Sequence, residues 1–360
     1  MKRMCHILGA VLSLLPAVGR SQALPTAGYA SLDRFARELP DAQAATVTQL
    51  AASLAAQACT DEEKARLIFA WLATHVAYDT AFLRGETGPG HTPAQVLAGR
   101  RAICQGYADL FTALATAMQL PARTVSGYGR TSDQPDPLAG KAPNHAWNVY
   151  QAGGTWHLAD ATWGAGSVDD KLAFTQGFNP FWFDTPPAAA IFSHLPTEPK
   201  WQLLPQPATS AEFRGWGCVS SVWFELGLDG TYLRRVLAPR GRFRAGPLPE
   251  VFATPYPVGL VRVPRRARLV SGEPVEFVFR APPGVELSLE MDWRSVPFRD
   301  SAGYRRAFFV ADVRDAKKIG VVIGQKNDAH SRKYLLRYSV EPAARAAQLA
   351  SADTTGYLRR

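Results

Sequence analysis

Three side chains in the first half of the sequence have the types needed for nucleophilic acyl transfer. They are Cys104 in Ile103-Cys104-Gln105-Gly106-Tyr107, His145 in Asn144-His145-Ala146-Trp147-Asn148, and Asp160 in Leu158-Ala159-Asp160. A thiol attacks as its thiolate, so it needs a group that takes its proton or holds its charge. An imidazole beside it takes the proton, and a carboxylate on the far side of the ring orients the imidazole and supports its positive form. Taken singly, each residue also has a structural role open to it: cysteine as a small core side chain, histidine packed among aromatics, aspartate capping a turn at a strand end. The chemistry depends on whether the elements around them bring them together.

A helix begins near Cys104. Tyr107, Leu110, Phe111, Leu114 and Met118 recur at helical spacing, and Pro121 stops the pattern. A thiol at a helix N-terminus sits where the macrodipole favours the thiolate, and the Cys104 backbone N–H is one candidate donor to an oxyanion. No second donor is legible. The period then changes to two: segments near 122–128, 145–150 and 155–160 read as strands, the last two joined through Gly153-Gly154. Alternation puts His145, Trp147 and Val149 on one face, and Trp156, Leu158 and Asp160 on one face. Two registers keep His145 and Asp160 within reach. A turn centred between Ala152 and Gly153 sets them opposite each other; one centred between Gly153 and Gly154 sets Trp147 opposite Asp160 and makes His145 a diagonal neighbour. A three-residue loop would part them.

Upstream, residues 31–58 are Ala-rich with spaced apolar positions and read as one or two helices broken at Pro40. Thr60 and Glu63 form a capping-box pattern, and Ile68, Phe69, Leu72 and Val76 mark one face of the helix that follows. Residues 84–92 and 133–143 read as loops. Residues 184–210 are rich in proline and read as a linker or an extended crossing. Beyond them the chain is expected to be all-β: 222–228 ahead of an Asp229-Gly230 turn, then strands at 275–279, 287–291, 305–312, 319–324 and 334–340, the spacing of a β-sandwich. The last 15 residues are expected to lack order.

The full chain has 360 residues, a formal charge of +9 and four cysteines. That length suggests two or three domains. Lys2 and Arg3 precede an apolar stretch from Ile7 to Val18, and Ser21-Gln22-Ala23 supplies small residues at a cleavage site. The pattern is that of a secretory signal cut after Ala23, which places the protein in the periplasm or outside the cell. The mature chain then has 337 residues, a charge of +6 and three cysteines. Its charge forms no basic stripe, so nucleic acid is excluded as a partner, and a mild attraction to anionic cell-envelope surfaces is the most it supports. No metal or other cofactor is expected: His75, His91, His157 and His194 have no paired ligand spacing, and the glycines at 85, 88 and 90 lack the Lys-Ser/Thr of a phosphate loop. Arg100 and Arg101, beside the Cys104 helix, either support the thiolate or form a solvated basic turn.

Cys104-Gln105-Gly106-Tyr107-Ala108, Asn144-His145-Ala146-Trp147-Asn148 and Asp160-Ala161-Thr162-Trp163-Gly164-Ala165-Gly166 resemble the three core motifs of the transglutaminase-like superfamily, in its kyphoscoliosis peptidase-like branch. Ala77-Tyr78-Asp79 fits the same pattern, as does His194-Leu195-Pro196 followed by Trp201-Gln202-Leu203-Leu204. The resemblance covers about residues 60–205. It implies an α+β papain-like core with a Cys-His-Asp triad acting on amides: Cys104 as nucleophile, His145 as general base and acid, Asp160 as orienter. It also implies a companion all-β region, an immunoglobulin-like sandwich. The domain plan is a signal at 1–23, a helical segment at 24–59, the catalytic core at 60–205, the sandwich at 206–345 and a disordered tail at 346–360. With Cys104 as the reactive thiol, Cys59 and Cys218 become the candidate disulfide. The expected function is a secreted, monomeric cysteine peptidase or transamidase with a protein or peptide substrate. The alternative is a catalytically silent cell-envelope interaction protein that keeps the fold for binding.

Overall fold

A computed structural model describes residues 28–86, 90–131, 134–139, 142–237, 248–264, 266–292, 294–301, 303–312, 317–342 and 357–359. The expected signal at 1–23 lies outside these residues. The chain divides into two units, with the boundary between Phe213 and Arg214.

The N-terminal unit starts with α1 (Ala30–Glu38) and α2 (Val47–Ala55) on either side of Pro40. Next comes α3 (Asp61–His75), whose first turn is acidic and whose cap Thr60 accepts the Glu63 N–H at 3.1 Å. The Glu63 carboxylate reaches back to the Cys59 N–H at 2.6 Å, one residue earlier than in a simple capping box. Every residue of α3 from Ala65 to Ala73 is buried. The helix is therefore enclosed on all sides rather than amphipathic. Arg66, buried within it, is matched by a two-pronged ion pair to Asp33 of α1 at 2.7 and 2.8 Å.

Short elements follow: β1 (Ala77–Tyr78), α4 (Thr80–Leu83), α5 (Pro93–Gly99) and β2 (Arg101–Ala102), with β1 and β2 parallel. Helix α6 (Cys104–Ala117) begins at Cys104 itself. Strands β3 (Ala122–Gly129), β4 (His145–Ala152) and β5 (Thr155–Ala159) then build an antiparallel sheet, and Asp160 caps α7 (Ala161–Ala165). After β6 (Gly166–Val168), β7 (Phe174–Gln176) and α8 (Pro187–Ala190), the chain adds β8 (His194–Pro196) to the far side of β3, giving the sheet order β5-β4-β3-β8. Residues 184–210 are thus not a linker. Ala189, Ala190, Ile191, Phe192 and Leu195 are buried, and the segment belongs to the core of this unit.

The β4–β5 turn has two residues. Ala152 pairs with Thr155, and Gly153 and Gly154 take φ of +55° and +78°, the left-handed values of a type I′ hairpin turn. Asn148 consequently pairs with Ala159, which selects the register with His145 diagonal to Asp160. Helix α6 is fastened across the sheet by Asn148, whose Nδ2 donates to Ala108 O at 2.9 Å and to Thr112 Oγ1 at 3.1 Å.

The C-terminal unit opens with helices, not strands. Ser210–Trp216 crosses the boundary, and Val222–Glu225 and Gly230–Leu237 follow. The expected strand at 222–228 fails because local hydrogen bonds favour helix starts. Ser220 Oγ accepts the Val222 N–H, and Asp229 Oδ1 accepts the Thr231 N–H at 2.8 Å, so Asp229-Gly230 opens a helix instead of turning a hairpin. Two largely antiparallel sheets succeed them, one around 274–280 and 304–310, the other around 285–291, 318–325 and 333–341. Phe277, Phe279, Leu287, Leu289, Val321 and Ile323 are buried, and Phe277 meets Tyr338 of the other sheet edge-on at 5.4 Å. Arg268–Val270 joins parallel to 339–341. In the tail expected to lack order, Tyr357–Arg359 pair with Arg262–Pro264; the remainder of 346–360 lies outside the described residues. No helix among the described residues is long and apolar enough to cross a membrane.

The Cys59–Cys218 bridge does not form. Cys59 is disulfide-bonded, but Cys218, exposed in the C-terminal unit, keeps its thiol, as does Cys104.

Candidate active site

Cys104 is the first residue of α6, after Ile103 in an extended conformation. No side chain caps this end, so the first-turn N–H groups face the thiol's surroundings. The thiol is hydrogen-bonded to the His145 ring and to the Ala146 backbone N–H. Burial would push the thiol up; the His145 hydrogen bond, its positive charge and the Ala146 N–H outweigh that and hold it below the ordinary thiol value.

His145 opens β4 and is buried. Its Nε2 lies 2.7 Å from Asp160 Oδ2, which leaves Nδ1 as the nitrogen for Cys104. Burial favours the neutral ring, but Asp160 and Cys104 reverse this and raise His145 to about 10. Asp160 is fully buried, and burial alone would favour its acid form. The His145 charge and the hydrogen bonds from His145 and His194 win, and the carboxyl is held well below its usual range. Its Oδ1 accepts the Trp163 N–H at 3.0 Å, and its own N–H donates to Trp182 O at 2.8 Å. The three predicted residues therefore form one hydrogen-bonded chain, thiol to imidazole to carboxylate, suited to storing the thiol's proton on the ring.

A fourth residue joins them. His194 Nε2 is 2.9 Å from the same Asp160 Oδ2, and its Nδ1 is 2.8 Å from Ser193 Oγ. Burial lowers its pKa and keeps it neutral, so Nε2–H donates to Asp160 while Nδ1 accepts from the Ser193 hydroxyl. Ligand spacing gave no hint of this; the only sequence signal was the His194-Leu195-Pro196 motif.

The sheet explains how two imidazoles reach one carboxylate. His145 on β4 pairs with Gly127 of β3, and His194 on β8 pairs with Gly129, so both rings rise from one face over two positions without side chains. A Cβ on Gly129 would lie 2.9 Å from His145 Cβ; one on Gly127 would lie 2.5 Å from Trp147 Cη2 and 2.4 Å from Leu195 O. Trp147 and Trp163 line both rings, with Trp163 4.4 Å from His194, and Trp182 packs on His194 at 5.2 Å. This apolar wall strengthens each hydrogen bond inside it. The Tyr78 hydroxyl is kept protonated by burial and by negative charge at Cys104 and Asp160.

Arg100 is engaged elsewhere, paired with Asp41 at 2.8 Å and stacked on Trp71, so it does not serve the thiolate. His145 Nε2, Asp160 Oδ2 and His194 Nε2 lie within 4.8 Å of one another, the one grouping of metal-ligating atoms among the described residues. The N–H donors at 2.7 and 2.9 Å account for that grouping, and a cation there would have to displace both.

Residues 48–161 match the transglutaminase-like superfamily. The chain is 32% identical to human kyphoscoliosis peptidase over 197 residues, covering 54% of this chain and 29% of that protein. It is 34% identical to the mouse kyphoscoliosis peptidase over 191 residues (51% and 29%) and 30% identical to Drosophila melanogaster hillarin over 241 residues (61% and 28%). The chain thus spans under a third of the length of these relatives.

Proposed function

Since residues 48–161 carry a core of the transglutaminase-like superfamily, in its kyphoscoliosis peptidase-like branch, we propose that this chain is a cysteine acyl-transfer enzyme acting on peptide or protein amides. The observation that carries the reading is the continuous chain from Cys104 through His145 to Asp160, with the thiol held low and the imidazole high. In this reading the Cys104 proton rests on His145 Nδ1, and the thiolate attacks the amide carbonyl. The Cys104 N–H at the head of α6 supports the oxyanion. His145 returns the proton to the leaving amine, and water or a second amine resolves the thioester. Asp160 holds the ring and its charge throughout.

In this reading the enzyme works outside the cytoplasm near the cell envelope, as a monomer; the N-terminal signal pattern supports the location. The two-sheet region is taken as an immunoglobulin-like module that recruits substrate. The same module favours a second reading, a silent interaction protein, because a separate unit from Arg214 onward supplies none of the four clustered residues.

Dimethylated casein incubated with a fluorescent primary amine separates the outcomes. Fluorescent casein marks a transamidase, shortened casein a peptidase, and either must vanish in Cys104→Ala. Unchanged casein with every amine and peptide tested favours the silent protein.

A further inference from the structure

Asp160 does not need His194 to hold its place. Its Oδ1 is fixed by the Trp163 N–H, its backbone by Trp182 O, and its Oδ2 already faces His145. The second ring therefore acts on the carboxylate's charge. A fully buried carboxylate is costly unless its charge is matched. In the proposed reaction His145 is a cation only part of the time; when it gives its proton away, nothing but fixed donors remains to support Asp160. Without another donor the carboxylate would draw the proton back. His194 is built to be that donor: it stays neutral in its tryptophan-lined site, and the acceptor-only Asp160 carboxylate at 2.9 Å places the hydrogen on Nε2, leaving Nδ1 to the Ser193 hydroxyl at 2.8 Å.

We propose that His194 is a positioning residue for the acyl-transfer reaction, whose Nε2–H shares Asp160 Oδ2 with His145 and keeps the carboxylate ionised while His145 passes its proton to the leaving amine. This rests on the acyl-transfer reading above. The chain thereby extends to four side chains, from the start of α6, strand β4, the cap of α7 and strand β8, with His194 entering from a segment 49 positions beyond His145 in sequence. The other ionisable groups acting on the cluster from packed elements are Cys104 and Tyr107 of α6 and Tyr78 of β1.

The test follows the His145 ring by ¹⁵N-histidine NMR across pH in the full chain, compared with His194→Leu, His194→Gln and Ser193→Ala. Losing the donor costs the His145-neutral state most, so His194→Leu raises the His145 titration by about half to one pH unit. Gln keeps an N–H donor and stays within about 0.3 unit of the unaltered protein. Ser193→Ala, which removes the hydroxyl from the distal nitrogen and from Ala190 O but leaves Nε2 on Asp160, shifts it upward by less than Leu does. In parallel, acylation by p-nitrophenyl acetate, whose leaving group needs no proton, changes less than about twofold in His194→Leu, while any amide turnover falls tenfold or more. A His145 titration that is unmoved or lowered in His194→Leu, or a Gln variant that behaves like Leu, overturns the proposal. Absence of p-nitrophenyl acetate acylation in the unaltered protein counts against the acyl-transfer reading instead, and the titration still decides what His194 does.

Discussion

Asp160→Asn is the substitution from which the geometry yields the sharpest number. Asp160 presents two acceptor oxygens to three N–H donors: His145 and His194 on Oδ2 at 2.7 and 2.9 Å, and the Trp163 backbone on Oδ1 at 3.0 Å. Asparagine offers one acceptor and one donor group. If its NH₂ takes the place of Oδ1, it faces a backbone N–H that cannot turn away. If it takes the place of Oδ2, both imidazoles must move their proton to the other nitrogen, and His145 then points a hydrogen at the thiol it should deprotonate. The charge that stabilises the imidazolium is lost in either case. Breaking a buried charged pair from one side costs about 3–5 kcal/mol. At 1.36 kcal/mol per factor of ten, that is roughly 10²- to 10⁴-fold in rate. Burial then pulls His145 down with only Cys104 left to oppose it, and the thiol's partner loses most of the support for its charge. The assay is the second-order rate of iodoacetamide with Cys104 at pH 6, the modified peptide identified by mass spectrometry. A decrease of at least about 100-fold is expected. A variant whose rate stays within about threefold of the unaltered protein would refute the electrostatic argument.

Gly129→Ala puts a methyl 2.9 Å from His145 Cβ in a packed face, so chemical denaturation should show a loss of about 1–3 kcal/mol together with slower Cys104 alkylation. Unchanged stability and reactivity would mean the face has slack that the sheet does not display. Stability should be nearly level from about pH 6.5 to 9 and fall on either side. The raised His145 loses its contribution as pH climbs from 6.5 toward about 10, but the lowered Cys104 gains stability with rising pH up to its ordinary 9.0 and offsets that loss, so the alkaline decline sets in above it. The lowered His194 makes the unfolded chain bind an extra proton below 6.5, and the lowered Asp160 adds a further loss below its ordinary 3.8. Denaturant midpoints measured across this range should flatten on the acid side in His194→Gln and on the alkaline side in Asp160→Asn.

Local pattern carried the site further than the architecture. Cys104 sits at the first position of a helix because the apolar spacing from Tyr107 to Met118 and the stop at Pro121 are local signals, and Gly153-Gly154 is a two-residue type I′ turn for the same reason. The alternation rule then required His145 and Asp160 to share a face. It left two registers open, and only the observed φ values choose between them. His194 was not legible as a partner, since its strand has three residues, too few for a period, and pairs with β3 across more than 60 positions. Proline flanking made that stretch look like a linker, although its backbone completes the sheet. The helices at 222–225 and 230–237 were missed because Val222-Trp223-Phe224 is rich in strand-forming residues, while the deciding hydrogen bonds come from Ser220 and Asp229 acting as caps. The assignment of Cys59 and Cys218 to one bridge rested on counting, and counting carries no geometry.

The central claim is that Cys104 and His145 form a thiolate–imidazolium pair. Its most direct test is the pH profile of Cys104 alkylation by iodoacetamide in the unaltered protein, with glutathione as the reference thiol. Because the thiol is held below its ordinary value, the account predicts that the Cys104 rate falls less between pH 8 and pH 6 than that of glutathione, and that Cys104 reacts faster than glutathione at pH 6. A Cys104 profile that tracks glutathione, falling with pH in step and reacting no faster at any point, would contradict it.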